Sequence, residues 1–274
     1  MKASTWIMAG AAVFLLNAVA GATSVTVTIT GADNTQCAMI LAPTPYTGGP
    51  YTGHENWGGR TFANAYEAEG GMSTSAHVLI GFALPDLGSV AIDSATLRLH
   101  RDGWLSSEGN IEAYRLLESW NEGSGSGSPT VYASELGGAG GTGFGPQTGS
   151  ADWFDRAHGA ATWSTPGAIG PGSSLTSPSA AFVVNNEDYF SLDVTSDLQY
   201  WYDHALANNF GWVLTSHDTD GQWRVGLRLQ SDDAGYAQPM LTVNYSVIPE
   251  PVTLLTLGAT LCALGPYLRR RLNG

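Results

Sequence analysis

Lysine is all but missing. Lys2 is the only one in 274 residues, and 11 basic residues face 24 acidic ones for a formal net charge of −13. Three of the arginines close the C-terminus as Arg269, Arg270 and Arg271, so the stretch before them is more acidic still. No basic patch is present to displace counterions from phosphates, which argues against nucleic acid as a partner. The same repulsion disfavours an acidic polysaccharide unless arginine or a divalent ion intervenes, whereas a neutral glycan meets no such penalty. Cysteine is as scarce: Cys37 lies in the body and Cys262 in an apolar run near the end. The chain therefore has no disulfide framework, and a body of this size buries enough core without one. His54, His77, His100, His158, His204 and His217 are scattered with no H-x-H or HExxH spacing, so zinc catalysis has little support. The G-x-S-x-G elbow of serine hydrolases is absent.

What is present begins at the ends. Lys2 precedes an apolar run from Trp6 to Leu16, and Ala18-Val19-Ala20-Gly21-Ala22 then offers overlapping A-x-A cleavage sites. That order is a secretory signal peptide over residues 1–22. Near the other end, Val252 to Leu268 is an apolar run of 17 residues closed by Arg269-Arg270-Arg271. At about 1.5 Å per residue it reaches roughly 26 Å, enough for a thin bilayer core. An arginine at a membrane centre costs about 2.5–3.5 kcal/mol, so the three hold this end in the cytoplasm and the body, 23–248, lies outside.

Within the body, alternation predicts strands at Ser24–Thr30, His77–Leu84, Ile92–His100, Asn110–Leu117, Ala180–Val184, Gln222–Leu229 and Met240–Tyr245. Arg101-Asp102-Gly103 is read as the joint between two of them. Cys37 to Gly71, with His54-Glu55-Asn56-Trp57-Gly58-Gly59-Arg60 in its middle, has little periodicity and reads as a long surface excursion. Residues 122–150 are dominated by Gly and Ser and read as a loop insertion. Tyr189 to Ser216 holds a strand, a helix and a strand. Thr195 or Ser196 is the expected N-cap, with Ser196-x-x-Gln199 as a capping box. Leu198, Trp201, Tyr202 and Ala205 share one helical face, and Asn208-Asn209 ends the helix. So short a helix is marginal alone and must dock as a plug on a sheet. Trp201 and Trp212 are expected in the core, while Asp193, with Thr195 beside it, fixes the strand-to-helix corner. The fold expected is all-β: an antiparallel two-sheet sandwich of jelly-roll type with one short docked helix.

Candidate binding residues are loop aromatics. Trp57, Trp104 and Trp223 sit in or beside loops, where their faces can stack on sugar rings with Arg60 and Arg224 as hydrogen-bond donors. The alternative is that the same rings fold under to fill the core. Asp218-Thr219-Asp220-Gly221 has the alternating carboxylates that open a calcium loop, but lacks the remaining ligands and the bidentate Glu, so a plain turn is favoured. Calcium at Asp218 and Asp220 is the only cofactor these residues suggest. Abundant carboxylates leave a glycosidase pair open, although most should simply solvate the surface.

Pro249-Glu250-Pro251, the apolar run and Arg269-Arg270-Arg271 together resemble a PEP-CTERM sorting signal. The resemblance implies a Gram-negative envelope protein that an exosortase recognises in the inner membrane, cuts near Pro-Glu-Pro and releases to the cell surface or an extracellular polysaccharide matrix. The body, roughly Val25 to Tyr245, resembles the DNRLRE domain family, sandwich modules related to carbohydrate-binding modules. Carrying the likeness are Val78 to Leu84, Ile92-Asp93-Ser94-Ala95-Thr96-Leu97-Arg98-Leu99, Trp120-Asn121-Glu122-Gly123 and Ala161-Thr162-Trp163. Later come Leu192-Asp193-Val194-Thr195 with Trp201, Gly211-Trp212-Val213-Leu214, and Pro239-Met240-Leu241-Thr242-Val243. Ser231-Asp232-Asp233 departs from the family's Ser-Arg-Glu before the last strand. The expected function is a secreted, non-catalytic surface or matrix module that binds polysaccharide. Its rivals are a structural appendage without ligand and a polysaccharide-degrading enzyme.

Overall fold

A computed structural model describes residues 24–43, 53–54, 57–58, 62–66, 75–105, 109–123, 148–184, 187–217, 226–231, 234 and 237–248. The signal peptide, most of the Gly/Ser insertion, and the sorting signal with its 252–268 segment lie outside them. Among the described residues, no helix is long and apolar enough to cross a membrane.

The architecture is an antiparallel two-sheet sandwich. The first sheet runs β1 (Ser24–Ile29), β13 (Met240–Val247), β5 (Val90–Leu105), β10 (Tyr189–Asp193). In the second, β4 (Ala76–Phe82) pairs with β2 (Thr35–Leu41) and with β11 (Trp212–His217). From β11 the sheet continues through β6 (Gly109–Arg115) to β9 (Ala180–Val184). At the Ala76 end of β4, β3 (Phe62–Tyr66) pairs through Tyr66, and β3 with β12 (Gly226–Gln230) leads back to the far end of β5. The expected joint at Arg101-Asp102-Gly103 is not a turn, because β5 runs on through it and crosses from the first sheet into the second.

Two further expectations change. The described parts of the stretch from Cys37 to Gly71 are not all surface: β2 reads TQCAMIL and is buried at six of its seven positions, and Ala63 and Ala65 of β3 are buried too. A strand covered on both faces is apolar throughout and loses the alternation by which a half-buried strand is recognised. β4 is likewise buried along its whole length. Val78, Ile80, Trp212 and Leu214 face the first sheet across the main core, while Ile40, Leu79 and Val213 belong to a separate cluster with Trp120, Ala151, Trp163 and Ala168. Residues 148–175 supply the cover over that outer face. It includes the short hairpin of β7 (Asp155–Ala157) and β8 (Ala161–Thr162), and it is anchored by Leu117 N–H donating to Ser173 O and Leu175 N–H to Arg115 O.

The helix α1 (Thr195–His204) is the expected plug, with a different start. Its N-cap is Val194, and no side chain caps it. Asp193 holds the corner, its Oδ1 accepting from the backbone N–H and hydroxyl of Thr195. Thr195 and Gln199 turn to β5 instead of closing a capping box. Where β10 stops covering the edge of β5, Thr195 Oγ1 accepts from Ala95 N–H at 2.9 Å and Gln199 Oε1 from Ile92 N–H at 2.7 Å. An edge amide left without water or a partner would cost about 1–3 kcal/mol. Leu198 and Trp201 are buried, Tyr202 is half-buried, and Ala205 lies exposed beyond the last helical residue. Trp201 meets Trp212 of the second sheet edge to face, with centroids 5.0 Å apart. Asp197, also buried, receives Trp212 Nε1–H at 2.7 Å and the Arg115 guanidinium at 3.3 Å. The helix thus fastens one sheet to the other.

Candidate functional site

Among the described residues, a gathering of chemistry-bearing side chains stands out that local sequence pattern does not reveal. His54, Asp152, Asp155 and His158 each offer one ligand atom, and these atoms all lie within 4.8 Å of one another. Asp152, Asp155 and His158 come from the start of the outer cover, at spacings of three residues, through β7 and into the turn after it. His54 comes from a separate loop. Trp153 N–H donates to Gly53 O at 3.0 Å, and Gly53 has φ +87°, a left-handed value that favours glycine. A Cβ at Gly53 would sit 2.5 Å from the Phe154 ring, so the absent side chain lets the loop lie flat on the cover. The His54 ring then packs against Phe154, centroids 5.1 Å apart, and edge-on to His158 at 5.0 Å.

Asp152 is the fixed point of the group. Its Oδ1 accepts from Phe154 N–H at 2.8 Å and Asp155 N–H at 2.7 Å, and its carbonyl accepts from the Trp163 indole at 2.9 Å. That leaves Oδ2 aimed at the histidines, 2.8 Å from His158 Nδ1 and 3.2 Å from His54 Nδ1. Asp155 Oδ2 lies 2.9 Å from His158 Nδ1 and 3.9 Å from His54 Nδ1. The Asp152 side chain is 1 % exposed and that of Asp155 14 %, whereas His54 at 38 % forms the solvent side. Two carboxylates this close and this sheltered repel one another unless a positive charge lies between them.

Other groups under the cover are structural. His77, on the outer face of β4, places Nδ1 2.7 Å from Gly167 O and packs against Trp153. A carbonyl only accepts, so Nδ1 carries the proton. Burial pushes the pKa of His77 down to about 4 against the opposing effect of that hydrogen bond. For Glu118, burial raises the pKa, but donors from Ser164 N–H, Ser164 Oγ and Ser173 Oγ, with the Arg156 charge, outweigh it and hold the carboxyl below its usual range.

Of the expected ligand residues, Trp57 is overturned. It is 1 % exposed, packed in the main core and bridged to Met39 of β2, so it offers no open face to a sugar. Arg60, Trp223, Arg224, Asp218 and Asp220 lie outside the described residues, as do Pro249, Glu250, Pro251, Arg269, Arg270 and Arg271. Trp104 falls within β5, but its side chain is outside the description. Trp201 and Trp212 are core, as expected.

A second feature is an open cleft of about 560 Å³ at the β2–β4 end of the second sheet. Its lining includes Asp33, Gln36, Gly81, Trp120, Glu122 and Phe210. Trp120 donates its indole N–H to Phe210 O at 2.9 Å, which fixes the ring, and Glu122 Oε1 accepts from Cys37 N–H at 2.6 Å. Two carboxylates and no basic side chain line it.

No known family model matches the chain. No curated protein matches it either.

Proposed function

We propose that the protein is an exported, non-catalytic module of the cell surface or extracellular matrix, and that it holds a neutral polysaccharide in the cleft lined by Gln36, Trp120 and Phe210. The observation that carries this reading is the cleft itself. Its volume falls within the range of about 300–1,000 Å³ common for small-ligand sites. Amide and carboxylate groups at Gln36, Asp33 and Glu122 offer planar donors and acceptors of the kind that engage neighbouring hydroxyls. The lining carries negative charge only, which disfavours uronic or sulfated sugars. The signal peptide and the likeness of the tail to a PEP-CTERM signal support export, inner-membrane transit and exosortase processing. The likeness of the body to DNRLRE modules supports a carbohydrate ligand.

Titration calorimetry with neutral matrix polysaccharides at low and high salt tests the reading, with a reducing-sugar assay alongside. Binding heat with little salt dependence is expected, and Gln36→Ala should weaken it about tenfold, the loss of roughly one good hydrogen bond, without moving the melt. An absence of heat from every neutral glycan would favour the structural appendage. Release of reducing ends would favour the degrading enzyme.

A further inference from the structure

We propose that His54, Asp152, Asp155 and His158 bind a zinc-class divalent ion, and that the ion ties the loop bearing His54 to the cover over the outer face of the sandwich. This site is independent of any glycan in the cleft. Three observations point to it. The first is the spacing. Zinc bonds nitrogen and oxygen at about 2.0–2.2 Å, and in a tetrahedron of that size neighbouring ligand atoms are about 3.4 Å apart. The four nitrogen-to-oxygen separations here, 2.8, 2.9, 3.2 and 3.9 Å, fall on both sides of that figure. An ion entering between them would lengthen the two short His158 contacts and draw the exposed His54 ring closer to Asp155.

The second is charge and ligand type. Imidazole ligates a metal through a nitrogen free of its proton and adds no charge, so with two carboxylates the ligand set carries −2, which one divalent cation cancels. Calcium and magnesium take mainly oxygen ligands in larger sets, so a pair of imidazoles selects against them. The third is support behind the ligands. Asp152 Oδ1 is occupied by two backbone N–H donors, so its carboxylate is oriented before any ion arrives. Such outer hydrogen bonds give a site its fixed geometry. His54 and Asp152 are 98 residues apart in sequence, so an ion between them would reinforce the Trp153–Gly53 hydrogen bond and the His54–Phe154 ring contact that already join the two segments.

The test uses the full-length protein without a polyhistidine tag, treated with a chelator and then titrated separately with zinc, calcium and magnesium chloride. One zinc per chain is expected, with calcium and magnesium at least about a hundredfold weaker. Cobalt(II) should give the intense visible absorption of a tetrahedral site. Zinc should also slow proteolysis within residues 148–175. His158→Ala and His54→Ala should each weaken zinc by more than roughly 100-fold, because each removes a direct ligand and loss of a mere supporting partner already costs about 10–100-fold. Because His54 is the most exposed ligand, its variant should fold even if that at His158 does not. Lack of zinc binding, equal preference for calcium, or zinc affinity unchanged in His54→Ala would each overturn the proposal.

Discussion

On its inner face the second sheet sets Val78, Ile80, Trp212 and Leu214 against another sheet. On its outer face Ile40, Leu79 and Val213 lie beneath residues 148–175, which hold little regular structure beyond one short hairpin. The two faces exclude water by different means. Inside, apolar strands interdigitate, and the buried carboxylate of Asp197 is paired with Arg115 and Trp212. Outside, three tryptophans, Trp120, Trp153 and Trp163, do the packing, and polar side chains pin irregular backbone to the sheet. His77 reaches Gly167, Glu118 gathers Ser164 and Ser173, and Asp152 organises its own turn. A loop that covers a sheet cannot satisfy its amides by pairing with the next strand, so side chains must do it. The inner core should therefore answer mainly to loss of apolar volume, and the cover also to pH. Stability of this kind is not uniform across a domain.

The largest effect should come from the inner side. Trp201→Ala is expected to cost about 3–5 kcal/mol, because it removes a fully buried ring that joins the helix to Trp212. Urea unfolding should shift as one transition, since the helix ties both sheets. A midpoint within error of the parent protein would mean that the helix does not hold the sheets together. The Trp201 indole N–H has no hydrogen-bond partner among the described residues, so Trp201→Phe should cost distinctly less than the alanine change.

Trp163→Ala probes the outer side. Trp163 is buried and donates to Asp152 O, and its loss should cost about 3 kcal/mol, at the low end for a tryptophan because irregular chain can partly collapse into the space. Hydrogen exchange should speed up in 148–175 while the amides of β4 and β11 stay protected. Equal loss of protection on both sides of the sheet would show that the two cores unfold as one.

The smallest effect is on pH dependence. With the pKa of His77 near 4 in the folded state and 6.5 in the unfolded chain, the unfolded chain binds the proton more readily between those values. The contribution is therefore complete above about pH 6.5 and is lost as pH falls toward 4. Glu118, with its lowered pKa, acts in the same direction and is lost as pH falls through the acid side of the carboxylate range. The melt should drop by several degrees across that window, at about 2–4 °C per kcal/mol for a domain of this size. His77→Gln keeps a donor for Gly167 and cannot titrate, so it should flatten the upper half of the slope. A parental slope in that variant would remove His77 from the account.

The strands of the first sheet were legible because each has one wet face. SVTVTI and MLTVNYSV alternate, and so does the strand that ends at Asp193. The helix was legible for the same reason, through Leu198 and Trp201. TQCAMIL was not, since both its faces are covered and its pattern carries no period. Trp57 was misplaced along with it, because a tryptophan between Asn and Gly looks the same in sequence whether its ring faces solvent or fills a core. The His/Asp cluster left only a faint trace, Asp152-x-x-Asp155-x-x-His158. That fits no common metal pattern until His54 is brought to it.

Chain order by itself determined the acidic character, the absence of disulfides, the sandwich class and the single docking helix, because charge, cysteine content and hydrophobic period are properties of neighbouring residues. Only the tertiary structure decided that β4 and its neighbours β2 and β11 are covered on both faces, that β5 serves both sheets, and that His54 meets Asp152, Asp155 and His158. Those are contacts between residues far apart in the chain. They depend on how irregular segments come to rest on a finished sheet, and local periodicity carries no record of that.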